Sequence, residues 1–361
     1  MFNPICKFSA LFPGFSEWGR RPGLRRAAVL LLAALVLAQP QARPQAASAL
    51  YGPDGITPGA VRQGALGSCY FHAAIAALAK AAPATLRAAI RRNNQGGYRV
   101  HFASGPDEVV LPDDLEYGRA HNLDRSEGDW VLVLMRAYAQ RKVRQSLEAA
   151  IQRSTLIPAS LKPVALDWLA RSGVLLVAYD RAIRSVVTQN GIMDEAALKQ
   201  TLAAELSAQG VSTAEAQALV GFLEEAGFIR QLSNTVRENG EVFGAYKALG
   251  QAGIPPRVME AFMGSAHSLR VADHAMTMET LRRLHRGGLA MVAGTWSVAP
   301  PGLANANWWV DAHAFSVLDY NEARQTVIVR NPWGAHPEPD GFFTLPLATF
   351  LAAFETASFS D

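Results

Sequence analysis

Gln63-Gly64-Ala65-Leu66-Gly67-Ser68-Cys69 runs directly into Tyr70-Phe71-His72-Ala73-Ala74-Ile75-Ala76-Ala77-Leu78-Ala79-Lys80-Ala81-Ala82-Pro83. Phe71, Ala74, Ile75, Leu78 and Ala82 recur at helical spacing before Pro83, so the spacing predicts a helix that begins at Cys69 and stops at the proline. A cysteine at that position lies among unpaired N–H groups at the positive end of the helix dipole, which favours its thiolate. Ser68 is the predicted N-cap. Gly64 and Gly67 permit a tight loop that returns Gln63 over the helix start, where its side-chain amide and the Cys69 N–H can both face a developing oxyanion.

A second stretch far downstream supplies the groups that such a thiol needs. It reads Trp308-Trp309-Val310-Asp311-Ala312-His313-Ala314-Phe315-Ser316-Val317-Leu318-Asp319-Tyr320, then Thr326-Val327-Ile328-Val329-Arg330-Asn331-Pro332-Trp333-Gly334. Both halves are expected to be strands, joined by the polar turn Asn321 to Gln325, which holds His313 and Asn331 side by side. A neutral imidazole can take the thiol proton while the Asn331 amide oxygen fixes its other N–H, and Trp333 can cover that bond from water. Taken singly, a helix-start cysteine is a small buried hydrophobe, a histidine in an apolar strand is a satisfied core group, and Asn-Pro is a turn. Their joint occurrence in this order points to nucleophilic chemistry. His72, one turn after Cys69, is expected to point away from the loop and to serve as a core residue. His267, His274 and His285 show no metal-ligand spacing, so no metal site is expected.

With these motifs quoted, the chain resembles the calpain family of papain-like cysteine proteases. Val109-Val110-Leu111-Pro112-Asp113-Asp114-Leu115 is similar to that family's hydrophobic strand with paired aspartates, and Trp130 to Ala139 to its Trp-led helix. Asp340-Gly341-Phe342-Phe343-Thr344-Leu345, with Phe350, Leu351 and Phe354, resembles the closing strand and helix of the core. The resemblance covers roughly 51–139 and 240–361. It implies an α+β, two-lobed papain-like fold with a helical Cys lobe and a β-rich His/Asn lobe. It also implies Cys69 as nucleophile, His313 as general base and acid, Asn331 as orienting group, Gln63 as oxyanion donor and Trp333 as shield. Gly67 and Ser68 are expected beside the substrate. Tyr70 departs from the usual Trp, Ser68 from the common Asp and Ala312 from the usual Gly; Tyr70 and Ser68 are expected to alter pocket shape more than chemistry. Calcium is the ion the resemblance implies, as an aligner of the lobes, although no calcium loop is legible and Asp113-Asp114 reads as a turn with a salt bridge.

Composition is that of a globular enzyme, with 361 residues of which 50% are hydrophobic, enough for one or more cores. The formal charge of +3 is misleading. Of 34 basic and 31 acidic residues, Lys7, Arg20, Arg21, Arg25, Arg26 and Arg43 against Glu17 precede residue 50, so 34 less six leaves 28 basic against 30 acidic. No nucleic-acid surface is implied. The early arginines precede the apolar run Ala27 to Ala38, and Ala47-Ser48-Ala49 offers a cleavage site, so export to the periplasm or medium is expected, with an uncleaved anchor through 27–38 as the alternative and the only membrane contact. Cleavage would remove Cys6 and leave Cys69 as the single thiol, which excludes an intramolecular disulfide.

The expected domains are a signal segment or anchor at 1–49, a Cys-bearing helical lobe at 50–139, an inserted helical subdomain at 140–238, and at 239–361 the rest of the helical lobe with the β-rich lobe. Within the insertion, helices are expected at Arg144 to Arg153, Pro163 to Arg171, Val174 to Val187, Asp194 to Ala208 and Thr213 to Glu225. The expected activity is peptide-bond hydrolysis of a protein or peptide substrate through a thioester. Two alternatives use the same residues: a thiol acyltransferase or transglutaminase-like enzyme, and a binding or effector protein with little turnover. Oligomeric state is not legible.

Overall fold

Helix α1, Cys69–Ala81, is buried along its length from Tyr70 to Ala79, as a helix apolar on every side must be. Its alanines let neighbours approach closely from all directions. This computed structural model describes residues 49–153, 195–208, 210–225, 246–250 and 253–361, with a few single positions between 154 and 194. The expected signal segment therefore lies outside the described residues, as do most of Pro163 to Arg171 and Val174 to Val187.

The chain is α+β. Pro83 both ends α1 and opens α2, Pro83–Ala89, consistent with the fixed φ of proline at a first helical position. A small antiparallel sheet follows, ordered β1 (Ile90–Arg92), β2 (Tyr98–Val100) and β3 (Glu108–Val110). Helix α3, Pro112–Ala120, comes next, so the turn expected at Asp113-Asp114 is the first turn of a helix. Asp114 accepts from the Leu111 N–H at 2.9 Å and pairs with Arg136 at 3.1 Å. Helix α4 runs unbroken over Trp130–Arg153, joining the two helices read on either side of residue 140. Its Arg144 meets Glu108 of β3 through two hydrogen bonds of 2.8 and 2.9 Å.

Helices α5 (Glu195–Ala208) and α6 (Thr213–Glu225) pack on each other, burying Leu198, Leu202 and Leu206 with Ala216, Val220 and Leu223. Ser212 and Glu215 satisfy each other's N–H groups at the start of α6, a reciprocal cap. Short α7 (Lys247–Gly250) and amphipathic α8 (Pro255–Met263) lead into the large sheet.

That sheet has six antiparallel strands in the order β4 (His267–Arg270), β9 (Phe354–Ser360), β5 (Ala290–Thr295), β6 (Ala314–Asn321), β7 (Thr326–Arg330), β8 (Phe342–Pro346). Helices α9 (His274–Arg286) and α10 (Leu347–Ala353) complete the chain. Strand alternation divides two cores. Ala290, Val292 and Ala314 join the core around α1, α4 and α8. Met291, Ala293, Phe315 and Val317 join the other, with Trp308, Phe350, Phe354 and the α9 residues Leu281 and Leu284. The helix is fastened to the sheet by Ser316, whose hydroxyl donates to the Ala73 carbonyl at 2.8 Å, and by Lys80, which donates to the Leu318 carbonyl. The strand expected from Trp308 begins only at Ala314. Ala312 stands in the left-handed region at φ 47°, which breaks an extended run.

Candidate active site

Cys69 is the first residue of α1 and is half-buried. The N–H groups of Ala314, Tyr70 and Cys69 itself favour its thiolate, but burial outweighs them and pushes the thiol up. The lowering expected from a helix N-terminus is therefore not the net result. A dipole contributes on the order of 1 kcal/mol, whereas desolvation of a buried acid can shift its pKa by several units. Ala314 is the residue that follows His313, so the same backbone that presents the imidazole also touches the sulfur.

His313 is buried, and its Nε2 lies 3.0 Å from Asn331 Oδ1. Asn331 is fully buried, and its Oδ1 also accepts the Trp333 N–H at 3.1 Å. That carbonyl oxygen can only accept, so Nε2 carries the proton and Nδ1 of a neutral ring is left as the base. The Trp333 ring lies 4.8 Å from the imidazole, centroid to centroid, and is 42% exposed. Burial holds His313 down to about 4, against a smaller opposing effect of the Asn331 hydrogen bond. Burial thus favours the neutral form of both groups, the Cys69 thiol and the His313 imidazole.

The displaced His313 titration carries a stability consequence. Between the ordinary value of 6.5 and the folded value of about 4 the unfolded chain binds more protons, so stability falls as pH drops through that window. The loss is on the order of 3 kcal/mol for this group. Denaturant midpoints measured at pH 7 and pH 4 are expected to separate more in the natural protein than in His313→Gln; equal separations would contradict the assignment.

The Gln63 loop is held against this site by its backbone. Gln63 N–H donates to Pro332 O at 2.8 Å, and Arg330, buried at the end of β7, donates to Val61 O. Burial, then the neighbouring Arg62, brings the Arg330 guanidinium down to about 10. The Gln63 side-chain amide donates to Leu66 O at 2.7 Å. An amide nitrogen carries two hydrogens, so one remains for a ligand. Gly64 is needed for close approach: a Cβ there would lie 2.1 Å from Asn122 O. Gly67 is exposed beside Cys69.

Several expectations change here. Ser68 occupies the N-cap position but makes no side-chain cap bond. Its hydroxyl lies 3.4 Å from Leu66 O and 3.1 Å from His72 Nδ1, and it is fully buried, so it cannot line a substrate pocket. Tyr70 is likewise no pocket residue. It is buried, its hydroxyl accepts from Lys142 at 3.2 Å, and its ring fills the space beside Gly253. His72 is a core group as read, fully buried with Nε2 3.2 Å from Asp124 Oδ1.

Ala312 at φ 47° explains why a glycine suits the position before the histidine. Ala312→Gly is expected to stabilise the fold by about 0.5–1 kcal/mol, seen as a higher denaturant midpoint; a lower one would contradict the strain. Thr295, whose hydroxyl meets the backbone of this turn, carried no signal in the sequence. Arg330 stood inside the quoted motif, but its tie to Val61 was not legible.

Asp114 is committed to Arg136 and the α3 N-terminus, and no group of three His, Cys, Asp or Glu among the described residues is placed to hold an ion.

A family model described as calpain family cysteine protease matches residues 39–157, a segment that contains Gln63 and Cys69. No curated protein matches the chain. Among solved structures, PepW from Lactobacillus rhamnosis HN001 (DR20) aligns over 93% of this chain and 88% of its own, at 12% identity and a TM-score of 0.30.

Proposed function

We propose, proceeding from the calpain-like cysteine protease core that this chain carries, that it is a cysteine endopeptidase of papain-like, two-lobed design in which Cys69, His313, Asn331 and Gln63 perform the chemistry. The observation that carries the reading is the His313–Asn331 hydrogen bond of 3.0 Å under Trp333, with the Ala314 N–H favouring the thiolate of Cys69.

In this reading His313 Nδ1 takes the thiol proton as the Cys69 sulfur attacks the substrate carbonyl carbon. Burial favours the neutral form of both groups before the attack. The oxyanion receives the Cys69 N–H and the second hydrogen of the Gln63 amide. The imidazolium, steadied by Asn331, gives its proton to the leaving amine; the C–N bond breaks and a thioester remains. Water, giving a proton to His313, attacks the thioester, and that proton returns to the departing sulfur.

The substrate is a polypeptide, presented across Gly67, which leaves the approach to Cys69 free of side chain. The protein is exported after loss of residues 1–49, a reading supported by the arginines before the apolar run 27–38. Helices α5 and α6 belong to an inserted subdomain outside the chemistry.

Digestion of an unfolded protein in ¹⁸O water tests the reaction class. New C-termini carrying the heavy oxygen are expected. Transfer of an added amine in their place would make the protein an acyltransferase, and the absence of both products would make it a binding protein.

A further inference from the structure

Thr295 ends β5 opposite the turn that delivers His313. Its hydroxyl donates to Val310 O at 2.6 Å and accepts the His313 N–H at 2.9 Å. Its own N–H donates to His313 O at 2.9 Å, and the next carbonyl, of Trp296, accepts the Ala312 N–H at 2.9 Å. One hydroxyl thus bridges both ends of the segment 310–313, whose inner residue Ala312 is held at φ 47°. A non-glycine residue persists in that region only where its surroundings over-determine it. The pairing register of β5 with β9 shifts between Gly294 and Thr295, and an irregularity of this kind re-aims a side chain at the end of a strand.

These bonds bear on the chemistry because they fix the backbone from which the imidazole projects; Phe315 meets the ring edge-on at 5.0 Å. Nε2 is fixed by Asn331 and a face is covered by Trp333, whereas the position of Nδ1 depends on where the His313 backbone stands. Thr295 is buried, so water cannot replace its hydroxyl, and the removal of that group leaves the His313 N–H and the Val310 carbonyl short of a partner. We propose that Thr295 is a positioning residue for His313: its hydroxyl clamps the strained turn and sets the reach of the base toward Cys69. The proposal rests on the reading of His313 as the general base. A displacement of about 1 Å at a reacting group can cost on the order of 100-fold in rate, so a clamp of this kind is a sensitive control point.

The test compares Thr295→Val, nearly isosteric without the hydroxyl, and Thr295→Ser, which keeps it, in the full chain. Rates are expressed per Cys69 titrated, so that unfolded protein is not counted. Thr295→Val is expected to lower kcat by about 10- to 100-fold with KM changed by less than about threefold, and Thr295→Ser to restore kcat to within about threefold of the natural protein. A residue that merely supported the fold would change the titratable fraction and leave kcat per site as it was. Amide hydrogen exchange at His313 gives a readout independent of turnover: it is expected to quicken in Thr295→Val and not in Thr295→Ser. Should the natural protein cleave no peptide, the proteolytic reading fails while the exchange comparison still decides the clamp. Unchanged kcat per site, or equal exchange in the two variants, overturns the proposal; Thr295→Ala takes the place of the Val variant if that one does not fold.

Discussion

Replacement of Cys69 by Ala is expected to reduce peptide hydrolysis by about 10⁴-fold or more, as loss of a covalent nucleophile does when only binding and oxyanion stabilisation remain. The fold should survive the change. The side chain is half-buried at the start of α1, where the neighbours from Tyr70 to Ala79 carry the packing, so a sulfur removed there opens no large cavity. Circular dichroism and denaturant midpoints close to those of the natural protein, together with the loss of turnover, are the expected pair of results. Retained hydrolysis in a folded Cys69→Ala protein would show that the thiol is not the nucleophile.

Gly64→Ala is expected to have the largest effect on stability among substitutions near the site. An added Cβ would lie 2.1 Å from the Asn122 carbonyl oxygen and 2.4 Å from the Leu123 carbonyl carbon, both of them backbone atoms that cannot rotate aside. The Ala65 N–H is bonded to that same Asn122 oxygen at 2.8 Å, so relief of the collision breaks a hydrogen bond and pulls the Gln63 loop from its seat. A cost of about 3 kcal/mol or more follows from forced backbone displacement in a packed region. Gln63, the proposed oxyanion donor, would be displaced with it, so kcat should fall even in the fraction that folds. Gly67→Ala is the comparison: among the described residues its Cβ would meet the Gly250 carbonyl at an ordinary 3.7 Å, and its effect on stability should be small. Equal midpoints for the two variants would contradict the account of the loop.

The residues of the site were legible in the sequence because each sits beside a strong local signal. Cys69 stands where helical periodicity begins, and Asn331 stands before Pro332 at the end of the β-branched run that became β7. The start of β6 was misread by six residues. The aromatic and apolar residues from Trp308 have high strand propensity, but Trp308 packs into the core beside Phe315 and Phe354, and Ala312 turns the chain before His313. Tertiary packing overrode local preference there. Strand β9 was missed for a similar reason: Glu355-Thr356-Ala357-Ser358 shows no apolar alternation, yet it pairs on both sides, with β4 and β5. Ser68 holds the expected N-cap position without the cap bond, because its hydroxyl has a partner, His72, one helical turn away that competes with the cap.

The electrostatics of the site were the least legible part. A cysteine at a helix start suggests a lowered thiol pKa. Depth in the fold reverses that direction, raising the thiol, and it holds His313 at about 4. On the proposed mechanism, reactivity depends on transfer of the proton to His313 during attack. A substitution such as His313→Gln should therefore slow alkylation of Cys69 at neutral pH.

The most direct measurement is labelling of the protein with an epoxysuccinyl thiol probe, followed by peptide mapping, with Cys69→Ala and His313→Gln as controls. The account predicts stoichiometric labelling confined to Cys69, lost in the first control and strongly slowed in the second. Folded protein that takes up no probe, or that labels equally fast without His313, would contradict the claim that these residues form an accessible catalytic pair.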